Sequence, residues 1–300
     1  MIGIGSYCKI YLAEQLSVGR RNVAVKVMHN IYIKETAKRK SPTSNPLYTE
    51  AMFLSMFKSP CFLKLFRTGT TQSGEPYIAM EYATGKSLDQ IIKEGKIFSP
   101  AEAFFVLEKL GEGVGEMHLL NIVHRDLKPS NVIIESPGGG MFFVKIVDFG
   151  AAKSLLRGEQ SSVKTKSEFV GSPAYMAPEQ ARQENTTERT DIYSLGSILY
   201  EMLTGIKAIH IKNTSFEDYL AYLNSNEQIP TYNIAAANPD VPYEVEEVVQ
   251  KALKRNPDER FDSVSSFVSS FRQSVLSITS AGVSAPEEGK GILSKIKKIF

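Results

Sequence analysis

The chain has 300 residues, a net charge of +2 and 42% apolar residues. These values favour one large domain or two small ones and exclude a wholly disordered chain, a collagen and a multi-span membrane protein. The near-neutral charge provides no basic field for nucleic acid. The two cysteines, Cys8 and Cys61, exclude a disulfide framework and a structural zinc cluster, and such low use is typical of a reducing cytoplasm.

Strand patterns dominate the first 82 residues. Alternating apolar residues predict strands at 9–13 and 22–27, and two further strand-like runs fall at 62–67 and 77–82. Apolar positions at helical spacing over 47–57 predict a helix between these pairs. We therefore expect a small, strand-rich lobe.

Helical patterns dominate the rest of the chain. A long helix is predicted over 103–117, and helices are predicted through most of 190–275. The glycine-rich run 111–115 lies inside the long helix, where we expect close packing rather than phosphate binding. The segment 81–85 connects the two predicted lobes.

Two features near the start of the chain have the chemistry for phosphate binding. Gly3 and Gly5 allow backbone amides to approach phosphate oxygens, because glycine has no side chain. Lys26 lies between apolar residues on a predicted strand, and Glu50 is the candidate carboxylate that would hold its ammonium group. An ordinary turn, an edge lysine and a surface glutamate are the alternative interpretations.

The segment 124–131, with the sequence HRDLKPSN, concentrates the remaining polar chemistry. Asp126, Lys128 and Asn131 supply a carboxylate, an ammonium group and an amide oxygen within one loop. Such a set can orient a hydroxyl nucleophile, neutralise phosphate charge and hold a divalent metal. Asp148, directly after a predicted strand, adds a second oxygen ligand, and this pair of ligands favours Mg²⁺.

These motifs occur in the order of the protein-kinase signature set. They are GxG at 3–5, VAVK at 23–26, HRDLKPSN at 124–131, DFG at 148–150 and APE at 177–179. The chain thus resembles the eukaryotic-type (Hanks-type) Ser/Thr protein kinases, and residues 175–181 are similar to their bacterial branch. The resemblance implies an α+β bilobal kinase domain over 1–275. Its small lobe would be an antiparallel sheet with one helix, 1–82, and its larger, mainly helical lobe would be 83–275.

For the nucleotide, the resemblance implies an ATP pocket between the lobes. Gly3 and Gly5 would cover the phosphates, and Lys26, held by Glu50, would bind two of them. The adenine ring would lie between apolar side chains and contact the backbone of the connecting segment. The residues implied are Ile10, Ala24 and Ile133 for the apolar enclosure, and Glu81 and Ala83 for the backbone contacts.

For the reaction, the resemblance implies transfer of a phosphoryl group to Ser/Thr hydroxyls of protein substrates. Asp126 would orient the hydroxyl and accept its proton, and Lys128 would stabilise the transferred group. Asn131 and Asp148 would hold Mg²⁺ or Mn²⁺. Arg125 would pair with a phosphorylated activation segment, for which Thr165 or Ser167 is the predicted autophosphorylation site.

Two departures from the family pattern lie in the small lobe. Cys8 stands at the third glycine position, where we expect it to be tolerated, and an oxidation switch is the less favoured interpretation. The chain begins two residues before Gly3, so we expect a shortened first strand. These departures leave a pseudokinase, a nucleotide-binding scaffold without transfer, as the alternative function. A small-molecule kinase is a third interpretation.

The last 25 residues differ in composition from the rest. Small and polar residues indicate a linker, and residues 289–300 place apolar and lysine side chains on opposite faces of a helix. This basic amphipathic pattern predicts contact with a membrane surface or a partner. A solvated or self-packed tail is the alternative interpretation.

Overall fold

An antiparallel sheet of five strands, in the order β1-β2-β3-β5-β4, forms the first lobe. Valine-rich β3 lies at its centre, because β-branched side chains favour a pleated, half-buried surface. Helix α1 (Pro46–Met56) packs against β4 and β5. The strands are β1 (Gly3–Ile4), β2 (Cys8–Gln15), β3 (Arg21–Met28), β4 (Leu65–Thr70) and β5 (Pro76–Glu81). The computed structural model describes residues 1–4, 8–29, 46–138, 141–155, 173–209, 216–224 and 234–281.

The larger lobe is mainly helical. Its strands form a three-stranded sheet, β6-β8-β9, and a short β10-β7 pair. The helices are α2 (Leu88–Lys93), α3 (Pro100–Leu119), α4 (Pro178–Ala181), α5 (Glu188–Thr204), α6 (Phe216–Asn224), α7 (Ile234–Ala237), α8 (Tyr243–Ala252) and α9 (Val264–Ala281). The strands are β6 (Lys86–Ser87), β7 (Ile122–Val123), β8 (Val132–Gly138), β9 (Met141–Ile146) and β10 (Lys153–Ser154).

Helix α3 carries the packing of this lobe. It begins at a capping box in which Ser99 accepts from the Glu102 amide, while the Glu102 carboxylate accepts from the Ser99 amide. A Cβ atom on Gly111 would lie 2.5 Å from Val268 of α9, and one on Gly113 would lie 2.9 Å from Ile146. The prediction that these glycines allow close packing is confirmed.

The predicted strand at 62–67 is wrong at its start. Strand β4 begins only at Leu65, and Phe62 instead forms an isolated parallel bridge with Ile146 of β9. Phe62 is buried where the two lobes meet, stacked on Phe57. A short apolar run indicates burial in either setting, so periodicity alone does not distinguish them.

The segment 276–300 is predicted to be a linker followed by the basic amphipathic tail, and the structure differs from this at its start. Helix α9 continues to Ala281, so the linker interpretation is wrong for 276–281. Residues 282–300, including the amphipathic segment 289–300, lie outside the described residues, and the domain boundary at 275 stays a prediction. Among the helices that the structure describes, none is long and apolar enough to span a bilayer.

Candidate active site

Lys26 lies at the centre of a buried ionic cluster between the lobes. Its Nζ is 2.6 Å from Glu50 Oε2 on α1 and 3.0 Å from Asp148 Oδ1, which follows β9. The side chains of Lys26 and Glu50 are 9% and 3% exposed, whereas that of Asp148 is 45% exposed. The cluster is therefore shielded from solvent at Glu50 and exposed to solvent at Asp148.

Electrostatics favour the charged forms of Lys26 and Asp148. Burial alone would lower the pKa of Lys26, but the carboxylates of Glu50 and Asp148 raise it above its ordinary value. Burial alone would raise the pKa of Asp148, but the ammonium group of Lys26 holds it below its ordinary value. The pair stays ionised at neutral pH, as charge-based phosphate and metal binding requires.

The loop 124–131 assembles a second polar set over a few residues. Lys128 Nζ donates to Asp126 Oδ2 at 2.7 Å. Asn131 Nδ2 donates to the Asp126 backbone oxygen at 2.8 Å and to Asp126 Oδ2 at 3.1 Å. Burial raises the pKa of Asp126, and Lys128 counteracts part of that effect. The loop thus places a carboxylate of raised pKa, which suits acceptance of a proton from a hydroxyl, beside an ammonium group that can neutralise negative charge.

Asp191 of α5 holds this loop from behind. Its carboxylate accepts from the amides of His124 and Arg125, each at 2.9 Å, and contacts His118 Nε2 at 2.9 Å. Although burial alone would raise its pKa, the hydrogen bonds from His118 and the Arg125 amide bring it below the ordinary value. Arg125 itself has a φ of 64°, an uncommon left-handed conformation that these contacts stabilise.

Phe149 connects the two polar sets. It is 1% exposed, and its ring centroid lies 5.0 Å from His124, 5.4 Å from Phe57 and 5.7 Å from Phe62. The preceding Asp148 has a φ of 68°, which turns the chain so that its carboxylate and the Phe149 ring take different directions. The ring is thus buried beneath the site while the carboxylate reaches Lys26.

The apolar residues expected around adenine fall on β2 and β3 of the small lobe and on β8 of the large lobe. Ile10 is paired with Lys26 across β2 and β3, and Ala24, two residues earlier on β3, therefore shares that face of the sheet. Ala24 also pairs with Met80 of β5. On the large-lobe side, Ile133 is partly buried on β8. Gly3 lies in β1 opposite Ile10, whereas Gly5 lies outside the described residues.

Of two further expectations from the sequence, the structure bears on one. Cys8 is 2% exposed at the start of β2, and burial raises its pKa to about 12, so the structure argues against an oxidation switch. The activation-segment residues Thr165 and Ser167 lie outside the described residues. The sequence patterns above do not reveal the role of Asp191, although an ionisable residue within the apolar pattern of α5 is a usable signal.

The donor set fits a divalent cation. Asp148 contacts Lys26 through Oδ1, and Asn131 donates through its amide nitrogen. Asp148 Oδ2 and Asn131 Oδ1 therefore have no hydrogen-bond partner among the described residues. Carboxylate and amide oxygens are hard ligands of the kind that Mg²⁺ and Mn²⁺ prefer. These two oxygens are therefore available to hold a metal ion with phosphate.

Comparison with known proteins places this arrangement in a family. The family model for the protein kinase domain matches residues 1–271, and the chain therefore belongs to the protein kinase family. Its relatives place it in the bacterial branch of the Hanks-type serine/threonine kinases.

Three relatives illustrate the match. A probable serine/threonine-protein kinase PknB of Lactococcus lactis is 34% identical over 88% of this chain and 39% of its own length. Serine/threonine-protein kinase PrkC of Bacillus subtilis is 30% identical over 88% and 38%. A probable serine/threonine-protein kinase of Corynebacterium efficiens is 27% identical over 97% and 44%. The chain thus spans less than half the length of these relatives.

Proposed function

We propose that this chain transfers the γ-phosphoryl group of ATP to serine and threonine hydroxyls of protein substrates, with a divalent metal ion. The observation that supports it best is the joint assembly of Lys26, Glu50 and Asp148 beside the Asp126 loop. Phosphoryl transfer needs little covalent chemistry from the protein, because positioning and charge neutralisation supply most of the catalysis.

Each polar side chain has a separate task in this proposal. Asp126 orients the substrate hydroxyl and accepts its proton, for which a raised pKa is suitable. Lys128, 2.7 Å from Asp126, stabilises the transferred group. Lys26 binds the α- and β-phosphates, and Glu50 fixes its position. The backbone amides at Gly3 and Gly5 cover the phosphates.

Asn131 and Asp148 are the proposed metal ligands. When bound, Mg²⁺ or Mn²⁺ supplies neutralisation of the phosphate oxygens. Asp148 remains ionised for this task because its pKa is held below the ordinary value by Lys26. Ile10, Ala24 and Ile133 enclose adenine, and the backbone of Glu81 and Ala83 provides its hydrogen bonds.

The test is phosphate transfer from radiolabelled MgATP to the protein itself and to a basic protein, compared with Asp148→Asn. We expect the variant to lose at least about a hundredfold in rate, because it removes charge at a developing-charge site. Equal rates in both proteins would contradict the proposal. Intact ATP binding without transfer in the unmodified chain would favour the pseudokinase. At present no feature of the described site favours that alternative, since its chemical residues are assembled.

Regulation and location remain part of the proposal. We infer autophosphorylation at Thr165 or Ser167, with Arg125 available to receive the new charge. Its guanidinium now donates to the Ala151 backbone oxygen at 2.8 Å. Replacing both hydroxyl residues with alanine is expected to lower activity, and unchanged activity would contradict this.

Deleting 289–300 is expected to reduce co-sedimentation with anionic vesicles, and equal sedimentation would contradict membrane contact.

A further inference from the structure

An ionic contact beneath the connection between the lobes is not used by the chemistry above. Glu81 is the last residue of β5, and both of its carboxylate oxygens are engaged. Oε1 accepts from Lys145 Nζ at 2.9 Å, and Oε2 accepts from the Lys64 amide at 3.1 Å. The side chain of Glu81 therefore binds other parts of the protein, whereas its backbone belongs to the segment that is proposed to contact adenine.

Lys145 is unusual for a lysine in being only 6% exposed. It lies on β9 directly opposite Ile133 of β8, and cross-strand partners share a face of the sheet. Ile133 is the residue proposed to lie under adenine. The ammonium group of Lys145 thus joins the large-lobe floor of the adenine space to the small-lobe edge above it.

The backbone around Glu81 is fixed by the same contacts. The Glu81 amide donates to the Lys64 backbone oxygen at 2.9 Å, so Glu81 and Lys64 hold each other by two hydrogen bonds. Two residues further on, the Ala83 amide has no hydrogen-bond partner among the described residues. At Gly85 the connecting backbone lies close against β8, because a Cβ atom there would be 1.9 Å from the Ile134 backbone oxygen.

We propose that Glu81 and Lys145 form a positioning pair that sets the distance between the connecting backbone and the adenine floor, and thereby the preference for adenine over guanine. This inference rests on the proposed function, because it uses the assignment of Glu81 and Ala83 as the adenine-reading backbone. Hydrogen bonds weaken steeply when their geometry is displaced, so a small shift of this backbone reduces adenine recognition. Phosphate contacts at Lys26 are unaffected by the shift.

The experiment compares Glu81→Gln, Lys145→Met and the double variant with the unmodified chain. Equilibrium binding of MgATP and MgGTP is measured by calorimetry, and KM and kcat are measured for both nucleotides. We expect each single variant to bind ATP about tenfold more weakly, the value of one charged hydrogen bond. For Lys145→Met, which lies outside the proposed binding residues, we expect GTP binding and the kcat for ATP to change less than threefold, so the preference for ATP over GTP decreases.

Controls separate positioning from general loss of stability. Glu94→Gln removes an ion pair of similar length, Lys86–Glu94 at 2.8 Å, whose side chains are 62% and 57% exposed, and should leave discrimination unchanged. Lys145→Arg keeps the cation and should retain most of it. If Lys145→Met fails to fold, the double variant removes both buried charges and tests the same ratio.

Equal weakening of ATP and GTP binding, or unchanged binding with only a lower melting temperature, would overturn the proposal. The binding measurement does not depend on transfer. An unmodified chain that binds ATP in preference to GTP but transfers no phosphate would therefore refute the proposed function alone, while the variants would still decide the role of the pair.

Discussion

The ionic cluster at Lys26 and the loop at Asp126 lie in the same site, yet the chain builds them differently. Lys26 meets partners 24 and 122 residues away in sequence. Asp126 meets partners only two and five residues away. The first set therefore exists only when helix α1, the sheet and the Asp148 turn are correctly arranged. The second set is largely specified by one short segment.

Because of this difference, the two sets should respond differently to a displaced secondary-structure element. A shift of α1 would separate Glu50 from Lys26 while leaving Lys128 and Asn131 beside Asp126. The local set still needs an outside support, because Asp191 accepts from two of its amides. We expect variants of the distant contacts to affect assembly, and variants of the local contacts to affect the pH dependence of the reaction.

The largest effect is expected on the stability of the protein when Asp191, which supports the loop at Asp126, is replaced. Asp191→Asn leaves two loop amides and His118 with an uncharged partner that offers a single acceptor oxygen. Because the site is fully buried, we expect the free energy of unfolding to fall by about 3 kcal/mol. Urea denaturation measures this. The matched control is Asp258→Asn, where the side chain is 89% exposed and the change should be close to zero. Equal losses in both variants would show that Asp191 does not hold the loop.

The next effect tests the distant set. Glu50→Gln keeps the size of the side chain but removes the charge that fixes Lys26, so we expect kcat/KM for ATP to fall by about a hundredfold. The control is Glu112→Gln, which removes the partly exposed Lys109 pair on α3 and should retain activity. A Glu50→Gln variant with full activity would mean that Asp148 alone suffices to position Lys26.

A smaller effect concerns pH and the local set. Asp126 must be ionised to accept a proton, so activity rises as pH increases through its pKa. Burial has already raised that pKa, and Lys128 opposes the rise. Lys128→Met should therefore move the acid limb of the kcat/KM profile to higher pH and lower the plateau by about tenfold. An acid limb at unchanged pH would show that another group controls it.

The smallest effect is expected at Cys8. Its thiol is buried and its pKa is raised to about 12, so little thiolate exists at neutral pH. Treatment of the folded protein with iodoacetamide at pH 7.5 should leave phosphate transfer unchanged and Cys8 unmodified by mass spectrometry. Loss of activity that Cys8→Ser prevents would restore the oxidation switch as an interpretation.

The amino-acid sequence predicts those parts of the candidate site whose contacts are local or whose motifs match the family specifically. The loop from Asp126 to Asn131 is compact because its contacts span at most five residues. The Lys26–Glu50 contact was expected from the resemblance, and the structure brings the two residues together at 2.6 Å. Composition and periodicity alone left Lys26 open as an edge residue.

The remainder depended on packing that one sequence does not show. Phe62 was assigned to a strand because burial between lobes and burial in a sheet produce similar apolar runs. The contact of Lys145 with Glu81 joins residues 64 apart, and no local pattern indicates it. The linker prediction is wrong for 276–281 because this segment, in which Leu276 and Ile278 alternate with small polar residues, continues α9.

The 122 residues of sequence between Lys26 and Asp148 also constrain the order in which this site can form during synthesis. Chains are synthesised from the N-terminus at roughly 5–20 residues per second, and structure forms progressively. A ribosome that has produced the whole small-lobe sheet has not yet produced Asp148 or the Asp191 support. The small-lobe sheet can thus be complete in a nascent chain before its buried lysine has its second carboxylate partner, and the contact between Lys26 and Asp148 forms only after translation has passed β9.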